Sequence, residues 1–108
     1  MAIKDLYIGD FNVKKCSQYG NFNVTSNLKA GDSLEISLDS NDVIVVKAKD
    51  TKGVMVEIGE LDLPFSYRKI IVPLLKGAHG KGLFHCEVYS SMNNMPANGC
   101  FRITVWAL

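Results

Sequence analysis

A period of two runs through most of this chain and decides its class. Leu34, Ile36 and Leu38 alternate with Ser33, Glu35 and Ser37, and Phe101, Ile103 and Val105 alternate with Arg102, Thr104 and Trp106. Successive strand side chains point to opposite faces, so alternation of this kind specifies β-structure with one buried and one wet face. The same pattern sets Phe84, Cys86 and Val88 against His85, Glu87 and Tyr89, and Val54, Val56 and Ile58 against Met55 and Glu57 before Gly59 ends the run. Val43 to Lys49 is rich in β-branched residues and lies between two polar turns, Asp39 to Asp42 and Asp50 to Gly53. These segments predict a meander followed by a closing hairpin. At the N-terminus, Leu6 to Val13 reads as a strand bent at Gly9, and Phe22 to Thr25 as a short strand that completes an opening hairpin across the polar stretch Lys14 to Asn21.

The period changes once. Tyr67, Ile70, Ile71, Leu74 and Leu75 fall at i, i+3, i+4, i+7 and i+8, the spacing of one helical face. Pro64 suits the first turn, Pro73 predicts a kink or split near Val72, and Gly77 ends the segment. About six short strands with one helix before the last pair predict a mainly β fold, a small, partly closed barrel of the oligonucleotide-binding or Src-homology-like kind, because closure hides strand edges. At 108 residues the chain, 1–108, is expected to be a single domain.

Charge narrows the function classes. Lys and Arg total 12 against 11 acidic residues, so no global positive field drives indiscriminate nucleic-acid binding. No stretch approaches the roughly 20 apolar residues of a membrane helix, and Asp5, Gly9 and Asp10 stand where a secretory signal would be apolar. A cytoplasmic location without membrane attachment is expected. Cys16, Cys86 and Cys100 are odd in number and widely spaced, which predicts reduced packing residues and neither a disulfide framework nor a zinc site. His79 and His85 have no nucleophile and carboxylate in a recognisable arrangement, and turn chemistry accounts for Asp39, Asp42 and Asp50 without a cation. No catalytic residue, metal site or cofactor is assigned.

What remains for a partner is aromatic and basic. Tyr7, Tyr19, Phe65, Tyr67, Tyr89 and Trp106, with Lys14, Lys15, Lys47, Lys49, Lys52 and Arg102, are the groups a small barrel could use to stack bases and hold phosphates. Residues of the same types also serve as sheet margins and edge protection.

Three segments occur in the same order as in a known family. They are "LKAGDSLEISLDSNDVIVVKA" (Leu28 to Ala48), "VEIGELDLP" (Val56 to Pro64) and "IIVPLLKGAHGKGLFHCEV" (Ile70 to Val88). Together they resemble the HIRAN domain, and the likeness covers more than half of the chain. The resemblance implies a modified oligonucleotide-binding barrel that captures single-stranded DNA by a free 3′ end, with its site at the first strand and an Asn-Pro-Tyr-Asp loop. Tyr7 matches the first-strand aromatic, and Asn41 and Asp42 match the polar ends of a loop that here lacks the proline and tyrosine. Glu60 stands where a histidine or tyrosine often follows the glycine.

The expected function is a non-enzymatic module that binds single-stranded DNA weakly. Its expected site residues are Tyr7, Asn41, Asp42, Lys47, Lys49, Tyr89 and Arg102, with bases on Tyr7 or Tyr89 and phosphates on Lys47, Lys49 or Arg102. The rival reading is a protein-interaction module, or a homodimer joined through an exposed sheet edge, without DNA binding.

Overall fold

The computed structural model describes residues 6–77, 84–89 and 101–107. The chain forms β1 (Leu6–Lys14), α1 (Cys16–Tyr19), α2 (Phe22–Thr25), β2 (Ser33–Leu38), β3 (Ile44–Lys49), β4 (Met55–Asp62), α3 (Phe65–Gly77), β5 (Phe84–Val88) and β6 (Phe101–Ala107). The strands close into a barrel in the order β1-β4-β3-β2-β5-β6, with every neighbouring pair antiparallel. The expected barrel is therefore present, and its ring is complete where partial closure was anticipated.

The alternation does what its period requires. Leu34, Ile36, Cys86, Val88, Phe101, Ile103 and Val105 are buried in one core together with Val13, Ile44, Val46 and Ile58. Each such aliphatic or aromatic side chain contributes about 1.5–3 kcal/mol on leaving water. The turns are built on aspartate. Asp39 Oδ1 accepts the N–H groups of Asn41 (2.8 Å) and Val43 (3.0 Å), and Asp50 Oδ1 accepts those of Lys52 (2.8 Å) and Val54 (3.0 Å).

Three local expectations are corrected. Phe22–Thr25 is a helical turn and not a strand, and it follows another at Cys16–Tyr19. Burial decides this: Cys16 and Val24 both sink into the core, and two short turns let the connection carry them there. Gly59 does not end a strand, because β4 runs through it to Asp62. A Cβ at Gly59 would stand 2.5 Å from Val13 Cγ1 and 3.0 Å from the Lys14 carbonyl oxygen, so the glycine is where the end of β1 approaches β4 closely.

The third correction concerns α3, which continues through Pro73 to Gly77. Proline removes a single backbone donor, and Ile71 and Leu75, each 2 % exposed, anchor the turns on both sides of it. The apolar residues do not share one face. Ile71 and Leu75 enter the core with Val72 packed beside them, while Ile70 and Leu74 are 59 % and 47 % exposed. Tyr67, at the margin, meets the Phe11 ring edge-on at 5.2 Å.

The cysteines also depart from expectation. Cys86 is free and buried, with its thiol pushed up to about 12 by burial, but Cys16 is disulfide-bonded. Cys100 lies outside the described residues, as do the glycine-rich connection 78–83 with His79 and the polar loop 90–99. Among the described residues no helix is long and apolar enough to cross a membrane.

Leu75→Ala is expected to cost about 2–5 kcal/mol in chemical denaturation, whereas Leu74→Ala should stay within about 0.5 kcal/mol of the parent. Equal losses at the two sites would contradict the orientation of α3. A disulfide takes two of the chain's three cysteines, so the unreduced, denatured protein should titrate one thiol and the native protein none on the same timescale. Three thiols without reductant would show that the bond does not form in the protein as isolated.

Candidate nucleic-acid interface

Three strands, β5, β6 and β1, carry a polar and aromatic outer face. Antiparallel register sets Glu87 of β5 opposite Thr104 of β6, and Thr104 opposite Asp10 of β1. Two residues along, His85 faces Trp106, which faces Tyr7. In the other direction Arg102 faces Asn12, and its carbonyl accepts the Tyr89 N–H at 2.9 Å. Residues two apart share a face, and the intervening Cys86, Val88, Ile103 and Val105 are all in the core. The outer face is therefore ruled into three rows: His85, Trp106 and Tyr7; Glu87, Thr104 and Asp10; Tyr89, Arg102 and Asn12. A register shift between Tyr7 and Gly9 keeps Tyr7 and Asp10 on this face despite their odd spacing.

Asp10 organises the grid. Thr104 Oγ1 donates to its Oδ1 at 2.5 Å, and the Tyr7 hydroxyl donates to its Oδ2 at 2.7 Å. The bond to Asp10 is the leading cause that raises the Tyr7 hydroxyl above its ordinary pKa, followed by desolvation. This holds in place a ring whose residue is 56 % exposed. Arg102 is not paired with that carboxylate: its Nη2 donates at 3.4 Å to the Asp10 carbonyl, and its guanidinium lies 5.2 Å from the Tyr89 ring centroid. Arg102 Nε is buried without a hydrogen-bond partner among the described residues. In the first row, His85 Nε2 stands 2.6 Å from Glu87 Oε2, and its ring centroid is 5.4 Å from that of Trp106.

Two open clefts flank the middle row. One, of about 400 Å³, is lined by Gly31, Glu87, Tyr89, Thr104 and Trp106. The other, of about 380 Å³, is lined by Asp10, Asn12, Asp62, Pro64 and Arg102. Both reach the low end of the range for small-ligand sites.

Of the residues expected from sequence, the fold brings Tyr7, Tyr89 and Arg102 together and places the others elsewhere. Lys47 and Lys49 sit on β3, three strands from β6 in either direction around the ring. Asp42 faces α3, where its carboxylate pairs with Lys76 at 2.9 Å and its carbonyl accepts Arg68 Nη2 at 3.2 Å. Asn41, beside it, donates its N–H within the turn. Glu60 is held beneath α1, taking the Tyr19 hydroxyl at 3.0 Å and Lys15 at 3.5 Å. Sequence reasoning missed Asp10 and Thr104 as the groups that set the platform's geometry. Registering the β5–β6 hairpin on paper would have put Glu87, His85 and Tyr89 beside Thr104, Trp106 and Arg102, but the β1 register depends on a bulge that the sequence only hints at.

Burial, and next the bond to Glu60, push Tyr19 up to about 12 from its ordinary 10.0. The neutral phenol is favoured by folding, so this contribution to stability is complete below about pH 10 and is lost as pH rises through about 12. In an alkaline titration followed by tyrosinate absorbance, Tyr19→Phe should remove the latest-titrating of the four tyrosines. An unchanged late phase in that variant would place the high-pH group elsewhere.

Comparison with known proteins finds no match to a protein-family model, to a curated protein or to a solved structure.

Proposed function

We propose that this chain is a non-enzymatic module that binds single-stranded DNA weakly on the outer face of β5, β6 and β1. One observation carries the reading: Tyr7, Trp106 and Tyr89 share that face with Arg102, a cation that reaches the backbone carbonyl of Asp10 while two hydroxyl groups engage the Asp10 carboxylate. Bases stack on the aromatic rows, and the guanidinium takes a phosphate. Stacking is tolerant of sequence and contributes about 1–3 kcal/mol per base. The HIRAN resemblance adds preference for a free 3′ end, and the phosphate role, spread in the sequence reading over Lys47, Lys49 and Arg102, falls to Arg102. A cytoplasmic location belongs to the same reading. Bonded Cys16 weighs against it, because disulfides are rare in reducing compartments.

A second reading, a protein-interaction module, draws on α3, where Phe65, Ile70 and Leu74 are 78 %, 59 % and 47 % exposed. A strand-edge dimer has less footing, since each strand of the ring has neighbours on both sides.

Trp106 is the chain's only tryptophan, so intrinsic fluorescence reports directly on the platform. A short single-stranded oligonucleotide should quench it at low salt, and the same strand with a 3′ phosphate should bind more weakly. Tyr7→Ala should lose about 1–3 kcal/mol of affinity, while Lys47→Ala should change little. If neither quenching nor anisotropy changes at protein concentrations approaching millimolar, the DNA reading fails and the interaction module takes its place.

A further inference from the structure

The two aromatic rows of the platform are separated by a row that has no ring. Tyr7 and Trp106 stand in one, Tyr89 and Arg102 in the other, and Glu87, Thr104 and Asp10 lie between them. Trp106 and Arg102 are four residues apart on β6, so at a strand rise of about 3.4 Å per residue the rows lie about 13 Å from each other. A stacked strand of DNA advances only about 3.4 Å per nucleotide, so two bases stacked on each other cannot reach both rows. Drawn out to about twice that rise, a strand crosses the gap in two links and sets its first nucleotide at one row and its third at the other. The middle nucleotide then lies over two carboxylates and a threonine, which offer its base no π-face and its phosphate no cation. Each outer row supplies what a base needs. Tyr7 is 56 % exposed while its hydroxyl is tied to Asp10 at 2.7 Å, so the ring is fixed and still open to solvent. The Arg102 guanidinium lies 5.2 Å from the Tyr89 centroid, and bases stack on guanidinium planes as well as on rings.

We propose that this face binds a three-nucleotide segment of extended single strand, stacking the first base and the third and leaving the middle base unread. This inference rests on the single-stranded DNA reading and specifies the length and spacing of the segment that the surface takes. A dinucleotide engages one row at a time, a trinucleotide engages both, and nucleotides beyond the third lie past the two rows. Every base has a π-face, so the requirement is for two bases at this spacing and not for a particular sequence.

The test is a Trp106 quenching titration at low salt with oligo-dT of two, three and six nucleotides, and with trinucleotides in which an abasic tetrahydrofuran replaces the base in the middle or at one end. Three nucleotides should bind about tenfold more tightly than two, the difference made by one more stacked base. Six should gain only the statistical advantage of their overlapping registers. A middle abasic site should leave the affinity of the trinucleotide within about twofold, whereas a terminal one should lower it to that of the dinucleotide. Tyr7→Ala should erase most of the advantage of three nucleotides over two without abolishing binding. Equal affinities for two and three nucleotides overturn the proposal, and so does a middle abasic site that costs as much as a terminal one. A strand of six that gains another factor of about ten over three overturns it as well, because the footprint would then be longer. These comparisons are made on the wild type and decide the matter should the variant fail to fold. Binding without the step at three nucleotides defeats only this inference, whereas no quenching by any oligomer defeats the DNA reading beneath it.

Discussion

Closure of the barrel by its first strand is the constraint on which the rest of the structure depends. β1 pairs with β6 from Leu6 to Val13 and with β4 from Asn12 to Lys14, so one strand joins the two ends of the sheet. To do both it must bend, and glycines provide the room. The Phe11 ring lies over Gly9, where a Cβ would come within 2.9 Å of Cζ, and Gly59 of β4 lets Val13 and Lys14 approach it closely. A methyl group at Gly59 would meet backbone as well as side chain, so β1 would have to lift off the sheet. Lifting it would expose the core residues Phe11 and Val13 and open the edges of β4 and β6.

The same closure makes the candidate site. Without β1, the β5–β6 hairpin would carry Trp106, Thr104 and Arg102 with no third column beside them. Docking β1 places Asp10 against Thr104, and the two hydroxyl bonds to its carboxylate then fix Tyr7 and keep Asp10 from neutralising Arg102. A carboxylate with a donor on each oxygen has little reason to rearrange toward a guanidinium, and this one touches Arg102 only through its backbone carbonyl. The Arg102 charge therefore persists beside Tyr89 as a cation available to an anionic ligand. Fold stability and site electrostatics are set by the same strand.

What could be read from sequence follows the strength of the local signal. The strands at Ser33–Leu38, Phe84–Val88 and Phe101–Ala107 were legible because alternation fixes their buried faces independently of context, and Ile44–Lys49 because β-branched residues fill it between two polar turns. The opening segment was not, since Phe22–Thr25 is β-prone in composition yet is folded by the need to bury Val24. On α3 the apolar residues span more of the circumference than one contact can cover, and periodicity alone does not say which part faces the core. The structure turns Ile71 and Leu75 inward and leaves Ile70 and Leu74 outside. Half of the candidate site was visible as residue types, but its assembly was not. Tyr7 and Tyr89 are far apart in the chain, and only the register of three strands shows that they share a face, Tyr89 beside Arg102 and Tyr7 two rows away, while Lys47 and Lys49 lie across the barrel.

The grid also limits what kind of binding this surface supports. One arginine contacting one phosphate of a single strand gives a salt exponent of about −0.7, so a fourfold change in salt alters affinity only about threefold. The acidic row beneath offsets even that attraction. If the surface binds a single strand as proposed, affinity must then come mainly from aromatic stacking, which is short-ranged and weakly screened. Such a surface gains little from a long or double-stranded polyanion, whose bases are already stacked and paired. On the proposed reading it would favour short, unpaired segments whose bases are free to leave solution for the face of Trp106 and Tyr7.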